Sequence, residues 1–268
     1  KLPFYQTQGI KAYKPGLDNI KSFVKKSNIN HQQLKFIHVG GTNGKGSTCL
    51  YLSSILQEAG YRVGTFTSPH YFDYRERIKI NNSLIKKKFI QSFINDNKAL
   101  IEEIGLSFFE VSFAIALSYF ENNKVDYAII EVGLGGRLDA TNIILPEISV
   151  ITNISYDHMH ILGDTLEKIA FEKAGIIKEK VKVVIGERSS DTENIFIKTA
   201  LEKSSNIIFA SDFPQKILYS EIDYQNKNIN TAINVLREVE TVEIYANNIR
   251  KGVKNVYNNT GFFGRWTL

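Results

Sequence analysis

A single cysteine, Cys49, stands among 268 residues, so no disulfide can form within the chain and a reducing compartment is expected. No apolar run reaches the length of about eighteen residues that a membrane-spanning helix needs. No signal-peptide pattern is present, the chain opens on Lys1 rather than methionine, and a cytoplasmic location is expected. The 33 basic residues exceed the 28 acidic ones by five, yet they are scattered along the chain. They form no basic stripe with interleaved aromatics, so neither a nucleic-acid nor a membrane partner is expected. The short cluster Lys86-Lys87-Lys88 opens an amphipathic helix and reads as a solvated turn. Internal repeats and low-complexity tracts are also missing, and a monomer is expected.

What is present is an ordinary globular balance, 43% hydrophobic and 23% charged, in a chain long enough for one large α/β domain or two small ones. Apolar runs rich in β-branched residues predict strands over 36–39, 62–67, 125–132, 148–154, 181–185 and 207–210. They lack alternation, as expected when both faces of a parallel sheet are covered. Helical patterns lie between them. Residues 47–59 put Cys49, Leu52, Ile55, Leu56 and Ala59 on one face, with Gly60 as the stop. Residues 109–120 are apolar nearly all round and predict a buried helix. Asp164 with Glu167 reads as a capping box for a helix running to Ala174. Residues 211–223 are weakly patterned, and helices return over 228–240 and 246–256. The alternation implies an α/β fold with a doubly wound, mostly parallel sheet.

The densest chemical signal is "HVGGTNGKGST" at 38–48, a glycine-rich run between a predicted strand and a predicted helix. In that position backbone N–H groups can surround phosphates at a helix N-terminus, and Lys45 can reach the β- and γ-phosphates of a nucleotide. Ser47 or Thr48 can reach the magnesium those phosphates hold. A tight turn that merely needs positive φ would explain one or two glycines, but not Gly-Lys-Gly-Ser-Thr in sequence. The usual loop has Ser or Thr directly after the lysine; here Gly46 intervenes. Other residues are ambiguous by themselves. Glu131 ends an apolar strand, where it could hold a metal or simply be solvated. His158 and Ser68 read equally as a hydrogen-bonded loop residue and a turn cap. Lys173 reads as a surface lysine near a helix C-terminus, Phe109 as core, and Asp139 as a turn cap.

The loop "GTNGKGS" resembles the ATP loop of the Mur ligase superfamily, and within it the folylpolyglutamate and dihydrofolate synthases. Four further segments agree: "TSPHYFDYRERIKIN" at 67–81, "EVGLGGRLDATN" at 131–142, "NISYDHMHILGDTLEKIAFEKAGI" at 153–176 and "YQNKNINTAINVL" at 224–236. The resemblance implies a P-loop-like nucleotide site of the Mur ligase central-domain type. Thr42, Asn43, Gly44, Lys45, Gly46 and Ser47 would cradle ATP, with Asn228 and Arg265 approaching from the far side. In the family that arginine belongs to Pro-Gly-Arg, whereas Phe263 stands in the proline's place here. Ser68, Glu131 and His158 match the family's magnesium ligands, Glu131 lying between two metal sites. Lys173 matches a lysine that the family carbamylates. Ser107, Phe108, Phe109, Glu110, Leu138, Asp139 and Ala140 match positions around the pteroate group.

The activity so implied is ATP-dependent addition of L-glutamate to folate, to dihydropteroate or to both, through an acyl phosphate. Lys45, Glu131, His158 and Lys173 would carry the chemistry. Residues 1–263 are expected to form the ATP-binding unit, with 264–268 starting a linker to a further domain. The alternatives are a nucleotide-binding fragment without ligase activity and another Mur-type amide ligase; the "TSPH" and "FFE" segments argue against the cell-wall type.

Overall fold

Apolar runs without alternation are satisfied only when both faces of a sheet are covered, and the chain builds such a sheet. A computed structural model describes residues 15–215 and 220–261. In chain order the elements are α1 (Asp18–Lys26), β1 (Phe36–Gly40), α2 (Lys45–Glu58), β2 (Val63–Phe66), β3 (Ile78–Ile80) and β4 (Ser83–Leu84). There follow α3 (Lys87–Ile104), α4 (Phe108–Asn122), β5 (Tyr127–Glu131), β6 (Ile148–Ile151), α5 (Met159–Leu162) and α6 (Leu166–Ala174). The last are β7 (Lys182–Ile185), α7 (Glu193–Glu202), β8 (Ile207–Phe209), α8 (Asp223–Glu238), α9 (Ala246–Lys254) and α10 (Val256–Thr260).

The eight strands lie in the order β4-β3-β2-β5-β1-β6-β7-β8. The six from β2 to β8 run parallel, and β3 is antiparallel to both of its neighbours. This is the doubly wound, mostly parallel sheet expected. Central β1 pairs with β5 on one side and β6 on the other, so the loops after these three strands open at the same edge. On one face Ile37, Val39, Ile129, Val150 and Val184 form a single apolar cluster with α2 and α8. The opposite face carries two clusters. Phe36, Phe66, Ala128 and Ile130 pack with α1, α3 and α4, and Ile151, Val183 and Ile185 pack with α6 and α7. Between them stand two fully buried polar side chains, His38 on β1 and Ser149 on β6.

Several expectations are corrected. The helix after the glycine run is not half solvated. Thr48, Tyr51, Ser53 and Ser54 are buried along with Cys49, Leu52, Ile55 and Leu56, because α9 and α10 cover its outer side. The capping box assigned to Asp164 and Glu167 does not form. Thr165 takes the extended N-cap geometry and its side chain accepts from Lys168 N, which moves Glu167 to the second helical position. Asp164 instead pairs with the Lys168 ammonium at 2.7 Å. Helix α8 starts at Asp223, ahead of the apolar periodicity, with the Asn226 side chain bonded to both the backbone N–H and C=O of Ser220. The β3–β4 hairpin, α1 and α7 were not foreseen. Among the described residues, no helix is long and apolar enough to cross a membrane.

Helix α9 lies so close to α2 that a Cβ added at Gly252 would stand 2.5 Å from Ile55 Cα. Alanine favours a helix interior by ~1 kcal/mol over glycine, whereas overpacking costs about 1–3 kcal/mol. The clash is with backbone and cannot be relieved by a rotamer change. Gly252→Ala should therefore lower the thermal midpoint by a few degrees. A raised midpoint would show that propensity, not the close approach, governs this position.

Candidate active site

The edge where β1, β5 and β6 end is where open α/β sheets bind ligands, and the glycine run occupies it. Gly41 has φ +130° and Gly44 φ +78°, and Gly44 is the N-cap of α2. Space as well as φ demands glycine there. An added Cβ at Gly41 would overlap Thr152, and one at Gly44 would overlap Asn228 Oδ1. The loop is fastened to the chain after β6. Thr42 N donates to Asn153 O at 2.9 Å, Asn43 N to Asn153 Oδ1 at 3.0 Å, and Thr42 Oγ1 to Ser155 O at 3.2 Å.

Two ammonium groups converge on one carbonyl. Lys45 Nζ donates to Gly41 O at 3.1 Å and to Thr42 O at 3.0 Å, while Lys173 Nζ donates to Gly41 O at 2.8 Å. Lys173 is 4% exposed, which overturns its reading as a surface lysine. Burial, and then the charge of Lys45, pulls its ammonium down to about 7, against the opposing pull of Asp157 and Asp139. Glu131, at the end of β5, is buried with Oε2 accepting from Ser68 N at 2.9 Å. Both Glu131 oxygens would lie 3.7 Å from a Cβ at Gly46, so the carboxylate faces the loop. Ser68, Glu131, Lys45, Lys173 and Asn228 are thus gathered at the glycine run. Thr48 Oγ1, fully buried in the first turn of α2, has no hydrogen-bond partner among the described residues.

His158 stands on the loop after β6 in a left-handed conformation, φ +47°, with Nε2 3.5 Å from Asp157 Oδ1. Among the described residues no three His, Cys, Asp or Glu side chains are grouped tightly enough to hold a metal unaided. An ion at Ser68 and Glu131 would need phosphate oxygens and water to complete its shell, as magnesium commonly does. Arg265 and the expected boundary at residue 263 lie outside the described residues.

The second glycine-rich loop closes on itself. Asp139 is 4% exposed, and its Oδ1 accepts from Thr141 N at 3.0 Å and from Thr141 Oγ1, while Oδ2 accepts from Leu134 N at 2.9 Å. The Asp139 carboxylate is thus a turn cap, as its residue type suggested, occupied by its own loop. Ser107 and Glu110 likewise form the capping box of α4, Ser107 N donating to Glu110 Oε2 at 2.7 Å. Phe109 packs on Phe66 at 5.6 Å and against the bare Cα of Gly133, so the start of α4 and the loop form one wall. Leu138 O accepts from Gly16 N at 3.4 Å, and Ala140 opens a 3-10 turn, Ala140–Ile143.

Sequence reading passed over Arg77. It is 4% exposed, its Nε donates to His70 Nδ1 at 2.8 Å, and its guanidinium lies 5.4 Å from the Phe108 ring centre. The only available signal was its place inside "TSPHYFDYRERIKIN". In the same segment the Glu76 carboxylate receives the backbone N–H groups of Tyr71, Phe72 and Asp73 at 2.7, 3.1 and 2.7 Å. That bracing leaves Phe72 97% exposed.

The Mur ligase middle domain family matches residues 39–261. A dihydrofolate synthase/folylpolyglutamate synthase of Bacillus subtilis is 46% identical over 178 residues, 64% of this chain and 41% of that protein. The chain therefore matches less than half the length of this relative. The structure of E. coli FolC in complex with DHPP and ADP superposes with a TM-score of 0.83 at 30% identity, over 94% of this chain and 64% of the other. A bifunctional folylpolyglutamate synthase/dihydrofolate synthase with Mn, AMPPNP and L-glutamate bound gives 0.80 at 31% identity, over 90% and 62%.

The buried Lys173 amine makes stability depend on pH with a definite sign. The folded chain releases this proton near 7, while the unfolded chain holds it up to ~10.4. Between those values the unfolded state binds more protons, so stability attributable to Lys173 rises with pH and is lost as pH falls through 7. Unfolding free energies measured from about pH 7 to ~10 should rise less for Lys173→Met than for the wild type. Parallel curves would show that Lys173 does not titrate in this window.

Proposed function

The chain belongs to the Mur ligase middle domain family, and from that premise we propose that it is the ATP-binding half of a ligase joining L-glutamate to folate, to dihydropteroate or to both. One observation carries the reading: Lys45, Lys173, Glu131, Ser68 and Asn228 converge on a backbone stripped of side chains at the carboxyl edge of a parallel sheet. Phosphates would lie against the N–H groups of 44–47, those of Thr42 and Asn43 being given to Asn153, with Lys45 leaving the carbonyls of Gly41 and Thr42 for the β- and γ-phosphates. Asn228, already against Gly44, would meet the nucleotide from the far side.

The site suits a hard divalent cation, for Ser68 and Glu131 offer oxygen donors and Thr48 Oγ1 is a spare buried oxygen. His158 is assigned to the same task. Such an ion, when bound, would supply charge neutralisation on the transferring phosphoryl group. The chain's own residues orient ATP and exclude water while the acceptor carboxylate takes the γ-phosphoryl group. The amine of glutamate then displaces phosphate from the acyl phosphate to leave an amide. No protein nucleophile enters, since positioning and electrostatics dominate phosphoryl transfer. Ser107, Phe108, Phe109, Glu110, Leu138, Asp139 and Ala140 are assigned to the acceptor pocket as its shaped wall. Residues 1–263 are assigned to the ATP-binding unit and the glutamate site to the protein beyond it, in line with relatives more than twice as long as the matched segment.

Lys173 is assigned as a carbamate. A lysine amine adds carbon dioxide only when neutral, and a group held near 7 is substantially neutral in the cell. The ammonium first gives up one proton; addition of the neutral amine to carbon dioxide then forms an N–C bond, leaves the electron pair of one C=O on oxygen and releases a second proton, so that an anion stands beside Lys45 where a cation stood.

Lys45→Ala should abolish Mg-ATP binding in calorimetry while the circular dichroism spectrum stays unchanged; unaltered affinity would overturn the placement. Glu131→Gln should still bind ATP but lose metal-dependent turnover in the complete enzyme, and wild-type turnover at limiting magnesium would sink that role. Carbon-13 bicarbonate should give a carbamate resonance that Lys173→Met lacks. Given ATP, magnesium, dihydropteroate and glutamate, the 268-residue chain should yield no glutamyl amide by mass spectrometry. Rapid turnover would show that residues 1–268 hold the glutamate site as well.

A further inference from the structure

We propose that His38 is a positioning residue: through Thr141 it fixes the Asp139 carboxylate, and so ties the wall at residues 133–139 to the strand that enters the phosphate loop. The part of this that concerns the acceptor rests on the function proposed above.

The placement is unusual for a histidine. His38 sits on the central strand, 0% exposed, between the two apolar clusters of one sheet face. Burial first, and then the positive charge of Lys178, holds it down to about 3. It is therefore a neutral ring with one N–H and one lone pair.

Which nitrogen bears the proton follows from counting donors. His38 Nε2 lies 2.9 Å from Thr141 Oγ1, and Thr141 Oγ1 bonds in turn to Asp139 Oδ1. Asp139 also receives the N–H groups of Thr141 and Leu134, one on each oxygen; burial pushes this carboxyl above its ordinary value, and these hydrogen bonds oppose that push. Both oxygens thus act as acceptors, the Thr141 hydroxyl donates to Asp139 Oδ1, and Thr141 Oγ1 accepts from His38 Nε2–H. His38 Nδ1 is left as a buried lone pair without a partner among the described residues. The reversed chain would put an unpaired N–H there instead, the rarer and costlier orphan.

The donors Asp139 receives show what this chain of bonds holds. Its carboxylate caps the Ala140–Ile143 turn and pins Leu134 N, and its loop lies against Phe109 through Gly133. Three residues beyond His38 lies Gly41, whose carbonyl receives Lys45 and Lys173. One buried side chain thereby locks the two loops in a common frame.

The test uses the full chain in two variants and one measurement on the wild type. His38→Leu keeps the bulk and removes the donor, whereas His38→Gln can return an N–H near the Nε2 position. Leaving the buried Thr141 hydroxyl oxygen without its donor costs enough for an effect of about tenfold. Leu134 amide exchange should accelerate and dihydropteroate affinity should fall by that factor in His38→Leu, with Mg-ATP affinity within about twofold of wild type. His38→Gln should recover most of both. Unchanged Leu134 exchange in a folded His38→Leu overturns the proposal. Faster exchange in a chain whose wild type binds Mg-ATP but no dihydropteroate upholds the positioning and defeats only the acceptor assignment. Should His38→Leu fail to fold, the wild-type ring decides. Nitrogen-15 shifts reporting the Nε2–H tautomer unchanged down to about pH 5 support the chain of bonds, and an Nδ1–H tautomer or a titrating ring refutes it.

Discussion

At Gly41 and Gly44 the backbone has no room for a side chain, and the rest of the site is arranged around that fact. Thr152 fills the space beside Gly41, Asn228 the space beside Gly44, and the Glu131 carboxylate faces Gly46. These three come from the loop after β6, from α8 and from the end of β5, elements brought together only by the sheet order. The glycines are therefore half of a contact whose other half lies about a hundred or more residues away in sequence. Flexibility is not what the loop needs them for, since its N–H groups and carbonyls are already bonded to Asn153, Lys45 and Lys173.

Charge at the site is set up to receive an anion. Two lysines share the Gly41 carbonyl, and burial makes one of them surrender its proton readily. Two like charges this close in a poorly solvated place are unfavourable unless something negative joins them. A phosphate beside Lys45 or a carboxylated Lys173 would each relieve that tension.

The long strands and the strand-loop-helix turn at the glycine run were legible in the sequence because their signals are local: apolar runs without alternation, and a glycine-lysine run at a strand-helix junction. The β3–β4 hairpin was not, for strands of three and two residues carry no period to read. Thr165 displaced Asp164 as the cap because both types suit an N-cap, and only the backbone angles choose between neighbours. Lys173 shows the limit most clearly. Spacing put it near a helix end, where lysines are usually solvated, and only the packing of α6 beneath the glycine loop buries it. Asp139 is the turn cap that its residue type suggested, but sequence does not say whether a carboxylate beside glycines also faces a ligand. Arg77 and His38 left no signal beyond membership in their motifs.

The segment braced by Glu76 has a consequence for how such a chain can change over generations. Its shape is set by three backbone N–H groups and one carboxylate, and the side chains of Tyr71 and Phe72 contribute little to holding it. Mutation can therefore exchange those two rings for other residues at small cost to folding, while Glu76 itself stays fixed. Selection is left with a small, stable perch beside the site on which new contacts can be tried one at a time.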